Sequence, residues 1–366
     1  MSTADGGMSA ASDGGGEGAA ADTQFRVEEL DRTVVFGRGA VARAVETVGG
    51  PGYTLLTTPR AAASAPEIVA ASASVIEVPH GQVDQVAGDL RDAGVEAGLG
   101  ERVVALGGGR VIDVTKALLA VGQLDGRFRT LAAVPTTLSG AEMSQGHRHA
   151  RGIDVNSPRV RPQIVIVDPQ LSASHTAADL AATSANALAH VLAALSTITA
   201  SPYSAALARD AALHLDMAWP RTLAPDPDRD EAALGALIAG WAISASGLSM
   251  HHVLAQTVVR LAIAGHAETN AALLPETIAA VRRRSPQSLA LADRLLGDPL
   301  EALAIRLRVR AGGLGLSALA DNDKLLERVV EVASRRTAEM ERNPPAPDTD
   351  ELRQIYRAAA LASVGG

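Results

Sequence analysis

The chain is predicted to be an α/β protein in two parts, an N-terminal α/β domain with a mostly parallel sheet and an all-helical domain after it. Two observations carry this. Up to about Pro169, short apolar runs alternate with Ala-rich segments of helical spacing, the pattern of crossover units covering a parallel sheet on both faces. From about Leu171 the strand signal stops and long Ala/Leu segments take over.

Residues 1–22 are Gly, Ala, Ser and Asp with no apolar period; they bury too little to offset ordering and are expected to form a disordered tail. The α/β domain is expected over 23–170, with strands in "RTVVF", "YTLLTT", "ASVIEVP", "RVVALG", "TLAAVP" and "QIVIVDP". Helices are expected between them, for example at Ala40–Thr47 and Val83–Ala93. The helical domain, 171–366, is expected to hold Ala177–Ile198, Tyr203–Ala218, Glu231–Ala262, Ala267–Arg282, Leu300–Leu307, Asp321–Arg342 and a last helix from Thr349. "IVDPQLSAS" marks the crossing between the two.

Of the 366 residues 47% are apolar but only 2% aromatic, so the cores must pack Ala, Leu and Val by close backbone approach. A net charge of −8 argues against a nucleic-acid surface. The lack of cysteine excludes disulfides, thiolate metal sites and a Cys nucleophile. No run of about 18 apolar residues suggests a membrane span, and no secretory signal pattern opens the chain, so a cytoplasmic protein is the expectation.

Three stretches carry chemistry. In "ALGGGRVIDVTKALL" a buried strand runs into Gly107, Gly108 and Gly109, and a helix follows at once. Glycines let a ligand approach the backbone and the new helix aims free N–H groups at an anion, although a plain strand–helix turn would also use one of them. Asp113 and Lys116 lie one turn apart on the same side of that helix and are expected to take part in binding the cofactor. In "AVPTTLSGAE", Thr136 and Thr137 follow a strand end, where hydroxyls bond a ribose or an amide, or merely cap a helix. "FGRG" supplies Gly37 and Gly39 in a turn.

Taken in order, "FGxG", "GGGxxxDxxK", "PTTxSGxE", "DP" and a helical domain resemble the iron-containing alcohol dehydrogenase superfamily, of dehydroquinate synthase-like architecture with a Rossmann-like sheet. The likeness runs from about Val34 to the end of the chain and includes "NALAH", "GLSMHHVLAQT", "GHAETNAALLP" and "ERNPPAPDTDELRQIYRAA". "NALAH", a paired "HH" and "HAET" also make it similar to the maleylacetate-reductase branch and to dehydrogenases of daptide-type peptide tailoring. The resemblance implies NAD or NADP on Gly37, Gly39 and Gly107–Gly109, with Thr136, Thr137 and Ser139 at the nicotinamide half. NAD-selective members carry an acidic residue where this chain has Thr58, with Arg60 two residues on, so a 2′-phosphate is tolerated and either dinucleotide fits.

Metal-binding members hold their ion through an Asp and three histidines; the matching positions here are Asn186, His190, His252 and His266. The first two lie four apart on one helix face. The last two lie fourteen apart, about 21 Å on a straight helix, so the chain must turn back between them, with Gly265 the expected place. Gln256 stands where a further histidine is usual. The amide at Asn186 removes the only anion, which disfavours Zn²⁺ or Fe²⁺ and leaves a metal-free pocket as the expectation; histidines satisfied within a helical core are the plain alternative. In that pocket His252 and His266 are expected to transfer the proton and contact the oxyanion, with His190 and Asn186 orienting the substrate.

After "PTTLSGAE", where relatives run through a β-hairpin, this chain has "MSQGHRHARGIDVNSPRVRPQ", locally basic in an acidic protein. Either it is a solvated loop or His147, Arg148 and His149, with His251 and Gln256 of the helical wall, receive a substrate carboxylate. The expected activity is hydride transfer between a nicotinamide and a hydroxy or keto acid. A peptide C-terminal threonine, oxidised and then losing its carboxylate, is the first substrate expectation, and a maleylacetate-like acid from aromatic breakdown the second. A non-catalytic dinucleotide-binding or scaffolding subunit is the reading of a different class. A small-molecule or peptide partner and a homodimer are expected, with no nucleic acid and no membrane.

Overall fold

The computed structural model describes residues 23–222, 226–313 and 316–361; the expected tail, 1–22, lies outside them. Seven strands form one sheet in the order β1-β2-β7-β6-β5-β3-β4. They are β1 (Phe25–Glu29), β2 (Arg32–Phe36), β3 (Thr54–Thr57), β4 (Ser74–Glu77), β5 (Arg102–Gly107), β6 (Thr130–Pro135) and β7 (Ile164–Val167). All neighbours are parallel except β1, which folds back on β2 as an antiparallel hairpin. Six strands fall on the expected runs. The seventh, β1, reads FRVEE and has no fully buried residue, as befits an edge strand whose pattern is half polar.

Register aligns the functional stretches. Phe36 pairs with Val167, Thr57 with Leu106 and Gly107 with Pro135. Gly37, Asp168, Thr136, Gly107 and Thr58 therefore all leave the same carboxyl edge, where open parallel sheets bind ligands. One face of the sheet packs Leu56, Val103, Ala105 and Ala133 under Ile112 and Leu118, and the other packs Val35, Leu55, Val104 and Val134.

Helices of at least ten residues are α1 (Val83–Asp92), α2 (Gly109–Leu124), α3 (Ala177–Ser196), α4 (Pro202–Ala218), α5 (Arg229–Ser246), α6 (Met250–Arg260), α7 (His266–Arg284), α8 (Pro286–Leu296), α9 (Leu300–Arg310), α10 (Asp323–Ser334) and α11 (Thr349–Leu361). No strand follows β7 among the described residues. By length and mean hydropathy α3 alone could cross a membrane, but it is interrupted by Asp179, Asn186 and His190 and most of it is buried inside the protein as the central core helix.

Two long expected helices are broken. The segment Glu231–Ala262 is α5 and α6, set at 103° to one another. Gly247 takes a left-handed φ of 76° at the break and Ser249 caps the new helix, so its first turn presents His251 and His252. Asp321–Arg342 likewise splits after Ser334. The reversal between His252 and His266 occupies Leu261–Gly265, and its left-handed residue is Ala262 (φ 55°), not Gly265, which caps α7 with φ −67°.

The loop after β6 is fastened from below. Lys116 of α2 is fully buried and its Nζ donates to the carbonyls of Ala141 (2.9 Å), Ser144 (3.2 Å) and Gly146 (2.9 Å) while pairing with Asp113 at 2.7 Å. Arg32 of β2 adds a bond to the Met143 carbonyl at 3.0 Å. Replacing Lys116 by Met leaves the half-buried Asp113 carboxylate and three loop carbonyls without their cation. The variant is expected to lose about 3–5 kcal/mol of stability, read as a shifted urea midpoint; an unchanged midpoint contradicts the assignment.

Candidate functional site

The glycines after β5 hold two segments together. A Cβ on Gly108 would sit 3.0 Å from the Thr137 side chain, and one on Gly109 would sit 2.8 Å from Ser139. The amino terminus of α2 is thus pressed against the Thr136–Ser139 turn, leaving its first backbone N–H groups outside the helical ladder at the sheet edge. Gly39 (φ 76°) has open space around it, and Gly37 (φ 138°) leaves no room for a Cβ against Gln24. Asp168 accepts from the Val41 N–H (3.1 Å) and the Gln170 N–H (3.0 Å), fixing the "FGRG" turn to β7. Thr58 caps a short helix through the Ala61 N–H at 3.3 Å, and the guanidinium of Arg60 lies 3.4 Å from His175. The Nε of Arg110 is buried without a hydrogen-bond partner among the described residues, and burial lowers the pKa of its guanidinium.

Asp113 and Lys116 do share a helix face, but that face turns inward. Lys116 spends its donors on the loop and on Asp113, so of the two only Asp113 reaches partial exposure.

Across the loop stands the histidine wall. Asn186 and His190 lie on one face of α3, and the Asn186 Nδ2 donates to the Ser139 carbonyl (3.1 Å) and to the Nε2 of His190 (3.3 Å). A Cβ on Gly140 (φ 70°) would come within 2.7 Å of the His190 ring, so only glycine lets loop and ring meet. His190 stacks on His252 with centroids 5.4 Å apart and planes 15° apart. His252 Nδ1 faces the N–H and hydroxyl of Ser249 at 3.5 and 3.3 Å, and as an acceptor there it places the ring proton on Nε2. The Nε2 of His252 and the Nδ1 of His190 are buried without partners among the described residues. Burial pushes the pKa of His190 down to about 3 and that of His252 well below its ordinary value, so the wall is neutral and presents N–H donors.

His251 faces the other way: its Nε2 donates to Asn270 (2.9 Å) and its Nδ1 meets the Thr277 hydroxyl (2.8 Å), which commits both nitrogens to packing α6 on α7. His266, at the start of α7, is open to solvent at the junction, while the dense protein atoms around it lower its pKa. Gln256 stands one turn after His252 and accepts from Arg336 at 2.8 Å.

The basic loop is largely committed within the chain. Buried His147 bonds the Arg148 carbonyl (3.0 Å) and the Val160 N–H (3.3 Å), and burial holds its pKa down at about 3. Arg148 meets Asp84 (3.3 Å), Arg151 meets Asp92 (2.9 Å) and Arg161 meets Asp31 (2.6 Å). His149 packs edge-on to His147 at 5.1 Å.

These features have counterparts in known proteins. Residues 31–169 match the model of the iron-containing alcohol dehydrogenases, and 180–360 match that of the C-terminal part of the Fe-containing alcohol dehydrogenase family. A maleylacetate reductase of Sphingobium indicum is 30% identical over 314 residues, covering 80% of this chain and 84% of the relative. The chain belongs to the iron-containing alcohol dehydrogenase family. Among solved structures of similar shape, a maleylacetate reductase from Agrobacterium tumefaciens has a TM-score of 0.75 at 27% identity, covering 92% of this chain and 98% of that one. The sulfoacetaldehyde reductase from Bifidobacterium kashiwanohense, solved with NAD⁺, has a TM-score of 0.74 at 21% identity over 90% and 97% of the two chains and is alike in fold. The chain is an oxidoreductase of the iron-containing alcohol dehydrogenase type, similar to maleylacetate reductases.

The family's name implies iron, and the donor set here does not fit it. Asn186 turns its N–H groups to Ser139 and His190 and brings no anionic oxygen to the wall. Among the described residues no three His, Cys, Asp or Glu side chains converge as a cage. His190 and His252 stack, and the charge of His266 acts on both, but no anionic oxygen joins them. The dinucleotide does fit, since the glycine turns, the helix terminus and the unpaired Arg110 share one edge.

A further polar group at this edge has no burial signal in its local sequence. Glu142, the last residue of "PTTLSGAE", is buried with Oε2 unpaired among the described residues, beside a cavity of about 20 Å³ shared with Thr136, Thr137, Asp168 and Ser172, room for one water. Burial raises its pKa to about 7, against the pull of Lys116. Folding therefore binds its proton, so this contribution is whole below the unfolded value near 4.5 and is lost as pH rises through 7. Glu142→Gln should gain roughly 3 kcal/mol relative to the parent between acid and mildly alkaline pH, measured as the widening gap in Tm. A gap that does not change with pH refutes a buried titrating carboxyl.

Proposed function

We propose that this chain is an NAD(P)-dependent, metal-independent oxidoreductase that moves a hydride between the nicotinamide and a hydroxy or keto acid of the maleylacetate type. The observation that carries the reading is the stacked, neutral His190–His252 pair, with buried unpaired ring nitrogens on both and the His190 ring against Gly140 at the sheet edge. The dinucleotide supplies the hydride acceptor or donor, held by Gly107–Gly109, Thr136, Thr137, Ser139 and the Gly37–Gly39 turn, with Arg110 adding charge at the phosphates. With Thr58 serving as a helix cap and Arg60 beside it, no carboxylate at this strand end repels a 2′-phosphate, so NADPH binds at least as well as NADH.

The Nε2–H of His252 is placed to hydrogen-bond the substrate oxygen as charge develops on it. His190 backs that ring, and Asn186 ties it to the cofactor turn. His266, reachable by solvent, exchanges the proton with water. A peptide carboxylate bound by the basic loop has less support, because Arg148, Arg151 and Arg161 already hold carboxylates of the chain itself.

Fluorescence titration with NADH and NADPH, then turnover of maleylacetate, tests the reading. His252→Ala should cut kcat by about a hundredfold or more, the size of a lost oxyanion donor, while cofactor affinity holds within about twofold. His266→Ala should change the pH profile more than the plateau rate. Cofactor binding that is absent, or full activity in both variants, overturns it.

A further inference from the structure

The end of β3 carries a cation that no anion of the chain answers. Arg60 follows the Thr58 cap by two residues, is exposed, and forms no ion pair among the described residues. Its side-chain partner there is the Nε2 of His175, 3.4 Å from its Nη2. A guanidinium can only donate, so Nε2 accepts and the proton of the imidazole sits on Nδ1. Burial first, and then the charge of Arg60, lower the pKa of His175, in keeping with a neutral ring that accepts.

The two residues reach each other across the cofactor edge. Arg60 leaves β3 and His175 follows β7, with β5 and β6 between those strands in the sheet. Three strand spacings are about 14 Å. The side chains therefore meet above the ends of β5 and β6, where Gly107 and Thr136 leave. His175 is the fixed member of the pair. It is 8% exposed, its N–H donates to the Ser172 carbonyl at 3.0 Å, and Arg229 of α5 donates to its carbonyl at 2.9 Å and to that of Ser172 at 2.8 Å. Thr176, the next residue, caps α3. The Arg60 side chain has no comparable anchor, so the imidazole decides where its guanidinium rests. Only one of its nitrogens is used on His175, and the rest of the fork stays open to a ligand.

Place and charge together name the ligand. The glycine turn after β5 seats the pyrophosphate in the reading above, and β3 is the neighbouring strand, with Thr57 paired to Leu106. In dinucleotide-binding sheets the adenosine ribose lies beyond such a strand end, where a carboxylate takes the 2′-hydroxyl and an arginine takes a 2′-phosphate. We infer that His175 positions Arg60 to bind the 2′-phosphate, and that this pair makes the enzyme prefer NADPH to NADH. The planar fork meets a phosphate in two parallel charge-assisted bonds while its remaining edge keeps the imidazole. The inference rests on the dinucleotide reading above; it adds a preference and the residue that aims the selecting cation.

Binding alone tests it. NADPH and NADH are titrated by fluorescence, and adenosine 2′,5′-bisphosphate is titrated by calorimetry beside adenosine 5′-monophosphate. The parent should bind the 2′-phosphorylated member of each pair about tenfold more tightly or better, the size of a hydrogen bond to a charged group. Arg60→Ala should erase both gaps. His175→Phe, which keeps an aromatic ring but offers no acceptor, should remove most of each gap, and His175→Gln, whose amide oxygen accepts, should keep more of it. The double variant Arg60→Ala/His175→Phe should lose no more than Arg60→Ala alone, because His175 acts through the arginine. NADH affinity should hold within about twofold in every variant, as for substitutions that leave the fold intact. A parent that binds both dinucleotides without a gap, or a gap that survives Arg60→Ala, overturns the 2′-phosphate site alone. A gap unchanged in His175→Phe overturns the role of His175. A parent that binds neither dinucleotide overturns the dinucleotide reading together with it.

Discussion

The structure turns on the fastening of one loop. The segment from Thr136 to Gly146 lies between the cofactor edge and the histidine wall, and it is held from both sides. Beneath it, the buried ammonium of Lys116 takes three of its carbonyls and Arg32 takes a fourth. Above it, Asn186 takes the Ser139 carbonyl and Gly140 lies flat against His190. A buried cation with all its donors used is rigid, because any displacement strands a charge in low dielectric. The distance between the Gly107–Gly109 turn and the His190–His252 pair is thereby set by buried polar bonds rather than by loop flexibility, and hydride transfer requires that kind of positioning.

Much of the fold was legible because it depends on local pattern. Six apolar runs became six strands, and the Gly and Thr turns that end them lie at one edge because a parallel sheet in register puts them there. What escaped depends on contacts distant in sequence. A shared face for Asp113 and Lys116 follows from their spacing, but spacing does not say whether that face looks at a ligand or at a loop thirty residues on. The basic stretch looked free in sequence; its partners Asp84, Asp92 and Asp31 lie on α1 and on the β1–β2 hairpin. The break before α6 had a local signal in "GLS", masked by Ala and Leu on either side. A left-handed alanine at 262 has none, and the glycine three residues later drew the turn to itself. Glu142 was visible as a letter of a motif, but its burial was not.

The candidate site departs by one residue, Asn186, from the ligand set that the family resemblance implies. Spacing alone placed Asn186 with His190 on one helix face and required a reversal before His266, and both hold. With an amide at 186, one side of His190 is filled by a hydrogen bond to neutral nitrogen. Burial then keeps both imidazoles uncharged, and each has an N–H without a partner among the described residues. In the proposed reaction such a pair would stabilise a developing oxyanion by hydrogen bonding, and burial keeps both rings uncharged around neutral pH.

His190 and His252 thus stand as neutral rings beside a loop held by buried polar bonds. Nitrogen-15 NMR of the imidazoles, assigned through His190→Gln and His252→Gln variants and followed from about pH 5 to pH 8, tests it most directly. Neutral rings are expected throughout, with the His252 proton on Nε2. Either ring titrating near its ordinary value of about 6.5, or a His252 proton on Nδ1, would contradict it.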